Sequence, residues 1–334
     1  MGIWRVGADV LAGSRFTVSP LAQTVAALNA LHKGRAAPGR QAWLREHRPA
    51  YRERLDGDRV EALLVWAALR PTWLADFLIT PPRDDDRTFH DELRRVRQTP
   101  AEVAAADLAV AVGAPLPAEL RVPDLPARAA ALLEWVWTAT VQPEWPRLRR
   151  VFEADIVSRT GHLGTGGWAA ALAGLRPGLR WLGDGRLRIN PYDNPPRHIA
   201  DDAQLLFIPT TTTHGWVTWD TPHRYAIIYP CTGFLAAPPA LRAGENPTPP
   251  PVRAGTAPPA AVRALIGPVR AGILAHLGEP RSTTHLVALT GHSLGSVGGH
   301  LKVLLAARLI DRRRSGRSVL YYRTPLGDRL LNPE

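Results

Sequence analysis

Residues Ser282 to Arg323 read STTHLVALTGHSLGSVGGHLKVLLAARLIDRRRSGRSVLYYR, and their reading decides the fold of the C-terminal part of the chain. Ser282 suits the N-cap of a short helix over Thr283–Thr290, because its hydroxyl can accept from a first-turn N–H that has no partner within the helix. Gly291 ends that helix, as the residue that turns left-handed without a Cβ penalty. Ser293 caps a second helix. Its apolar positions Leu294, Val297, Leu301, Leu304 and Leu305 recur at spacings of three and four and share one face. Leu286 and Leu289 supply the matching stripe on the first helix. Two short helices joined at a glycine turn form a helix-turn-helix, whose second helix fits a DNA major groove. Two β-rich runs follow, 309–314 and 318–323, around the turn Ser315-Gly316-Arg317. They predict a hairpin crowded with arginines, a wing suited to phosphates.

This order of parts resembles the winged-helix regulators of the arsenic-repressor (ArsR) type. The resemblance is carried by Ile266-Gly267-Pro268-Val269-Arg270-Ala271-Gly272-Ile273-Leu274, by His300-Leu301-Lys302-Val303-Leu304, and by the hairpin closing on Val319-Leu320-Tyr321. It covers roughly residues 259–334. Upstream, Phe16-Thr17-Val18-Ser19-Pro20-Leu21, Trp145-Pro146-Arg147-Leu148 and Ile228-Tyr229-Pro230 resemble an uncharacterised domain fused ahead of such regulators in high-GC bacteria. That second likeness names an architecture and implies no chemistry. Together they imply a cytoplasmic, nucleoid-associated transcriptional regulator that binds duplex operator DNA as a homodimer and performs no covalent chemistry. The expected DNA-facing residues are Thr283, Ser293, Gly295, Ser296, Gly298, Gly299, His300 and Lys302 on the two helices, with Arg312, Arg313, Arg314 and Arg317 on the wing. One departure stands out. The family more often carries serine and a larger polar residue where this chain has Gly298 and Gly299, so base-reading side chains are missing there.

The charge distribution agrees with this reading. The chain of 334 residues has 41 Lys and Arg against 30 Asp and Glu, a net charge of +11. Residues 259–334 hold eleven basic against four acidic residues, or +7, which leaves thirty against twenty-six, or +4, for the rest. Most of the excess thus sits in under a quarter of the chain. Only Lys33 and Lys302 are lysines, and alanine, arginine and proline abound, so a GC-rich genome explains part of the high pI. The clustering carries more weight than the total. A single cysteine, Cys231, excludes an intramolecular disulfide and fits a reducing cytoplasm. Arg5 and Asp9 interrupt the only apolar start, against a signal peptide. The most apolar region, 60–79, contains Glu61, Arg70, Pro71 and Asp76 and reads as a buried helix pair rather than a membrane span.

The expected fold class is α+β: a mainly helical N-terminal domain with a small antiparallel β section over 1–237, a proline-rich linker over 238–258, and the winged helix-turn-helix over 259–334. A largely helical region runs from Pro20 to about Ala173. Arg83-Asp84-Asp85-Asp86-Arg87 within it reads as a solvated loop. Leu179 to Ile189 reads as a hairpin turning at Asp184-Gly185. Residues 204–209 and 225–229 read as further strands.

Other motifs in the chain carry competing readings. Gly291-His292-Ser293-Leu294-Gly295 matches the G-x-S-x-G nucleophile elbow of α/β-hydrolases, which would make Ser293 a nucleophile. The only histidine that follows is His300, two turns on in the same helix, and too little chain remains for the rest of a hydrolase sheet. A thiolate metal site needs paired cysteines, which are absent, and the lone close histidine pair on expected β structure, His214 and His223, gives too few ligands, so neither metal nor cofactor is expected. Seven tryptophans, Trp135, Trp137, Trp145, Trp168, Trp181, Trp216 and Trp219, concentrate in 135–219. They read as core, with a small-molecule effector pocket as the alternative. A protein-interaction module whose winged helix has lost DNA affinity is the remaining alternative.

Overall fold

The computed structural model describes residues 2–71, 73–192, 196–231, 259–278, 281–315 and 318–331. The fold is α+β, and 58% of the described residues are helical. The chain divides into two compact units, Met1–Arg149 with Leu172–Pro230, and Arg150–Ala171 with Cys231–Glu334. The expected linker over 238–258 lies outside the described residues. Residues 150–171, assigned to the N-terminal domain from the sequence, group with the C-terminal residues instead.

The strands are β1 (Gly2–Arg5), β2 (Arg15–Phe16), β3 (Arg180–Trp181), β4 (Arg186–Asn190), β5 (Arg197–His198), β6 (Gln204–Thr210), β7 (Trp216–Asp220), β8 (Arg224–Pro230), β9 (Arg281–Ser282), β10 (Ile310–Ser315) and β11 (Ser318–Arg323). The helices are α1 (Ala8–Gly13), α2 (Pro20–Lys33), α3 (Gln41–Gly57), α4 (Arg59–Ala68), α5 (Phe89–Gln98), α6 (Ala101–Val112), α7 (Leu125–Val136), α8 (Trp145–Leu172), α9 (Ala260–Ile266), α10 (Pro268–His276), α11 (Thr283–Thr290), α12 (Leu294–Ala306) and α13 (Pro325–Leu331).

The first unit is built around α2. Ser19 caps it by accepting from Ala22 N, Pro20 opens it, and Gly34 closes it at φ 63°. Its residues 21–28 are all buried, so it is a central helix with no solvent face. Helices α3, α5 and α7 pack on it. The buried Glu92 of α5 ties to its cap, accepting from Ser19 Oγ at 2.5 Å and from Leu21 N at 3.3 Å. Two four-stranded sheets complete the unit, in the orders β3-β4-β1-β5 and β2-β6-β8-β7. Trp4 of the first sheet meets Tyr225 and Trp219 of the second edge-on, at centroid distances of 5.4 and 6.4 Å.

The small antiparallel section expected from the sequence is only part of this. The β3–β4 hairpin forms, with Asp184 and Gly185 at φ 50° and 67° in the turn. Strands β6 and β8, however, run parallel, as do β2 and β6, and β1 and β5. Both β6 and β8 are buried along nearly their whole length, as parallel strands covered on both faces are. Nor does 60–79 form a helix pair. Helix α4 stops at Ala68, Leu69 bridges to Leu74, and a single 3₁₀ turn covers Asp76–Leu78. Pro71 removes an N–H and disfavours helix at the residue before it, which accounts for the break. The acidic loop is also less solvated than its composition suggests. Asp86 pairs with Arg95 in a nearly buried contact, and Asp84 joins Arg15, Gln204 and Arg224.

In the second unit, Val262, Ala271, Ile273, Leu274, Leu277 and Leu286 join Val297, Leu301 and Leu304 in one core. Helices α10, α11 and α12 pack pairwise, and the three-stranded antiparallel sheet β10-β11-β9 closes on them. Thr324 Oγ caps α13 by accepting from Gly327 N. Helix α8 runs to Leu172, with a break at Gly167 (φ 65°, ψ −167°).

Candidate nucleic-acid interface

Local chemistry sets the two C-terminal helices as the sequence predicts. Ser282 Oγ accepts from His285 N at 3.2 Å, and Gly291 turns left-handed at φ 72° with its N–H on Val287 O. Ser293 Oγ then accepts from Ser296 N at 3.3 Å to start α12. Val297, Leu301 and Leu304 are buried and fix the inward face of α12. Leu294, expected in that stripe, is 61% exposed: it is the first residue of the helix and lies beyond the packed turns. Leu305 is half-buried.

The outward face is made of Gly295, Ser296, Gly299, Lys302 and Val303, all exposed, with Ser293 exposed at its start. These positions recur at three and four, so they form one strip. Gly298 and His300 are half-buried at its margins, and Thr283 is half-buried at the start of α11. His300 titrates below its ordinary value through burial first, then the nearby Arg270 and His292, so it faces this strip as a neutral imidazole at pH 7. A Cβ placed on Gly295, Gly298 or Gly299 would meet no atom of the chain within 4 Å. No contact within the protein therefore requires glycine there.

The arginine-rich hairpin pairs Arg312 with Tyr321, Arg313 with Leu320 and Arg314 with Val319. Strand β9 adds to its other edge, Ser282 opposite Leu320 and Arg281 opposite Tyr321, so the hairpin is anchored to the residue that caps α11. Arg312 is exposed, and its N–H is held by Asp311 Oδ1 at 2.7 Å. The side chains of Arg313 and Arg314, and Arg317 entirely, lie outside the described residues.

A buried basic cluster beneath α11 was not anticipated. Arg281 donates Nε–H to His276 O at 2.7 Å and NH1 to His285 Nε2 at 3.2 Å. A guanidinium can only donate, so His285 Nε2 accepts and the ring is neutral, with its proton on Nδ1. Burial first, then the charges of Arg281, His276 and Arg159, pushes His285 down to about 3. Burial and Arg281 push His276 down to about 4. No clear signal for it stands in the sequence: His285 is the third residue of the capped helix, but Arg281 lies before the cap in β9, so helix spacing does not align the two.

The remaining sequence candidates are placed as follows. Residues 286–289 before Gly291-His292-Ser293 are helical, whereas a nucleophile elbow follows a strand. Ser293 Oγ is engaged as a cap. His214 bonds to its neighbour Thr213, and His223 lies 3.9 Å from Asp202. Among the described residues no group of three or more His, Cys, Asp or Glu could hold a metal ion. Of the seven tryptophans, Trp137 is buried, stacking on Phe89 at 4.6 Å and meeting the half-buried Trp145 edge-on. Trp216 and Trp219 line a cavity, together with Trp4 and Trp73, which the sequence did not single out.

No helix among the described residues is long and apolar enough to cross a membrane. Comparison with family models, with curated protein sequences and with solved structures finds no match to this chain.

Proposed function

We propose that the second unit is a winged helix-turn-helix of the ArsR type and that the protein is a bacterial transcriptional regulator binding duplex operator DNA. The observation that carries this reading is the outward strip of α12. It begins at a free, serine-capped helix N-terminus, bears Lys302, contributes nothing to the core, and belongs to the same unit as an arginine-rich hairpin. A capped N-terminus offers unpaired N–H groups and partial positive charge to a phosphate. The N-terminal half of the strip, Gly295, Ser296 and Gly299, is nearly free of side-chain bulk, which suits insertion into a groove roughly 12 Å wide. The hairpin arginines then contact phosphates alongside.

In this reading Ser293, Gly295, Ser296, Gly298, Gly299, His300 and Lys302 face the groove. Thr283 sits at the start of the preceding helix, and Arg312, Arg313, Arg314 and Arg317 grip the backbone. Two copies bind a pseudo-palindrome with half-sites about one helical turn apart, roughly 34 Å. With Gly298 and Gly299 offering no side chain, specificity rests on Ser296, Lys302 and DNA shape.

The test is a titration of the full chain into random duplex and into genomic fragments selected by binding, at several salt concentrations. The reading requires saturable binding whose logarithm falls linearly with the logarithm of salt, and selected fragments that share a two-fold motif. A second reading, a protein-interaction module, is favoured by one feature: Leu294 beside the strip and Val303 within it expose apolar side chains, 61% and 48%. Salt-independent or absent duplex binding would select it.

A further inference from the structure

The first unit contains a partly open cavity of about 1230 Å³. That exceeds the roughly 300–1,000 Å³ of ordinary ligand pockets. Its walls come from β1, the last turns of α2, residues 70–71 and 73–76, residues 176–178, the end of β4, β5 and the segment 211–219. The last of these is held open by specific contacts. Gln23 of α2 donates to Thr211 Oγ at 2.9 Å and accepts from Thr211 N at 3.0 Å. Gly215, at φ 70°, passes so close to β8 that a Cβ would fall 2.1 Å from Ile228 O.

Two properties of the wall are chemical. The first is charge. Lys33, Arg35, Arg70, Arg176 and Arg197 all line the cavity, against one carboxyl group, Asp76. Among the described residues none of these five lies within ion-pair distance of a carboxylate. Burial first, then the neighbouring Asp107, lifts Asp76 to about 8 against the pull of Arg197, so at pH 7 it presents an O–H donor more than a charge. The second is aromatic surface. Trp73 stands edge-on to Trp219 at 5.9 Å, and the Arg197 guanidinium lies 4.2 Å from the centre of the Trp219 ring.

Hydrogen bonding points the same way. Trp73 Nε1, Trp216 Nε1 and Arg176 Nε and NH1 are buried N–H donors with no protein partner. A buried donor left unpaired costs about 1–3 kcal/mol, and folded proteins seldom tolerate several in one place. Among the described lining residues these four unpaired donor atoms stand against one unpaired acceptor, Asn29 Oδ1, which calls for a guest richer in acceptors than in donors.

We propose that this cavity is a binding site for a planar aromatic anion, a ring system bearing a carboxylate, sulfonate or phosphate. The ring lies against Trp73 and Trp219. Arg176 and Arg197 hold the anionic group, Arg176 through its unpaired buried N–H donors and Arg197 from its place over the Trp219 ring, beside the aromatic surface of the cavity. All residues that line the cavity belong to the first unit, so this proposal stands apart from the reading of the second unit as a DNA binder.

The test is calorimetric titration of the full chain with three probes: 2-naphthoate, which has ring and charge; 2-naphthamide, which has the ring alone; and cyclohexanecarboxylate, which has the charge without an aromatic ring. The expected result is one saturable 2-naphthoate site, with both other probes weaker by about tenfold or more, each lacking one of the two interactions. Arg176→Gln and Arg197→Gln, checked for unchanged circular dichroism, should each weaken 2-naphthoate by about fivefold or more. Should either arginine variant misfold, Trp219→Leu replaces it and should cost a similar factor. No 2-naphthoate binding up to about 1 mM, a concentration corresponding to about 4 kcal/mol of affinity, would overturn the proposal. So would equal affinity for 2-naphthamide, or 2-naphthoate affinity unchanged in folded variants.

Discussion

Replacing Gly298 and Gly299 by alanine should stabilise the second unit, and the size of the gain follows from geometry. Neither glycine has a positive φ, and neither new Cβ meets an atom within 4 Å. Strain and packing terms are therefore both close to zero, which leaves helix propensity, worth about 0.8–1.0 kcal/mol per Gly→Ala in a helix interior. Adjacent helical residues do not face one another, so the two gains add to about 1.6–2 kcal/mol. Part of the effect comes from the unfolded chain, whose freedom alanine also reduces, and that part has the same sign. Hydrogen exchange of the α12 amides reads the change locally and avoids assuming that the two units unfold together. Exchange through opening of α12 should slow by about 15- to 30-fold, at about 1.4 kcal/mol per factor of ten. Unchanged or faster exchange would refute the reasoning, since it would mean that these positions are in contact or under strain. The same variants measure how deeply α12 enters DNA. If the strip sits at ordinary depth, operator affinity holds or improves. A loss of tenfold or more in the stabilised protein would mean that the bare backbone itself approaches the bases.

Acid should weaken the second unit. His276 and His285 titrate near 4 and 3 in the fold against 6.5 ordinarily, so their neutral forms contribute stability that is complete above about pH 6.5 and is lost as pH falls toward those values. Each steepens the decline by up to about 1.4 kcal/mol per pH unit, and urea denaturation of His285→Gln should show a shallower pH dependence than wild type. The first unit should contain a contribution of opposite sign. Glu92, raised to about 8 by burial, favours the fold most below its ordinary value of 4.5 and loses that contribution as pH rises through 8; Glu92→Gln should remove this loss in denaturation of that unit at alkaline pH. Arg312→Ala should reduce the salt slope of duplex binding by about one and weaken all sequences alike; a changed base preference with the slope intact would contradict its role as a phosphate contact. Gly327→Ala should destabilise the second unit by about 2 kcal/mol or more, because its Cβ would fall 2.2 Å from Leu309 O; an unchanged melting temperature would show that α13 can shift freely.

What the sequence revealed, and what it concealed, follows from how far each signal reaches along the chain. Ser282, Gly291 and Ser293 act on backbone groups three or four residues away, so α11, its turn and the start of α12 were legible to the residue. Leu294 misled because periodicity assigns a face but not the length of the surface opposite it; the core ends before the first turn of α12. Direction in the second sheet was illegible for a related reason. The apolar runs 205–209 and 225–229 read alike as parallel or antiparallel strands, and the answer depends on Trp216–Asp220 turning back between them. The cavity was hardest. Its wall unites Trp4, Trp73, Arg176 and Trp219, residues from four separate stretches, none of which has a local pattern. Counting tryptophans over 135–219 found Trp216 and Trp219 and joined them to Trp137 and Trp145, which meet each other among the helices. Unpaired cations and unpaired indole donors tell these two roles apart, and both become visible only when the chain is folded.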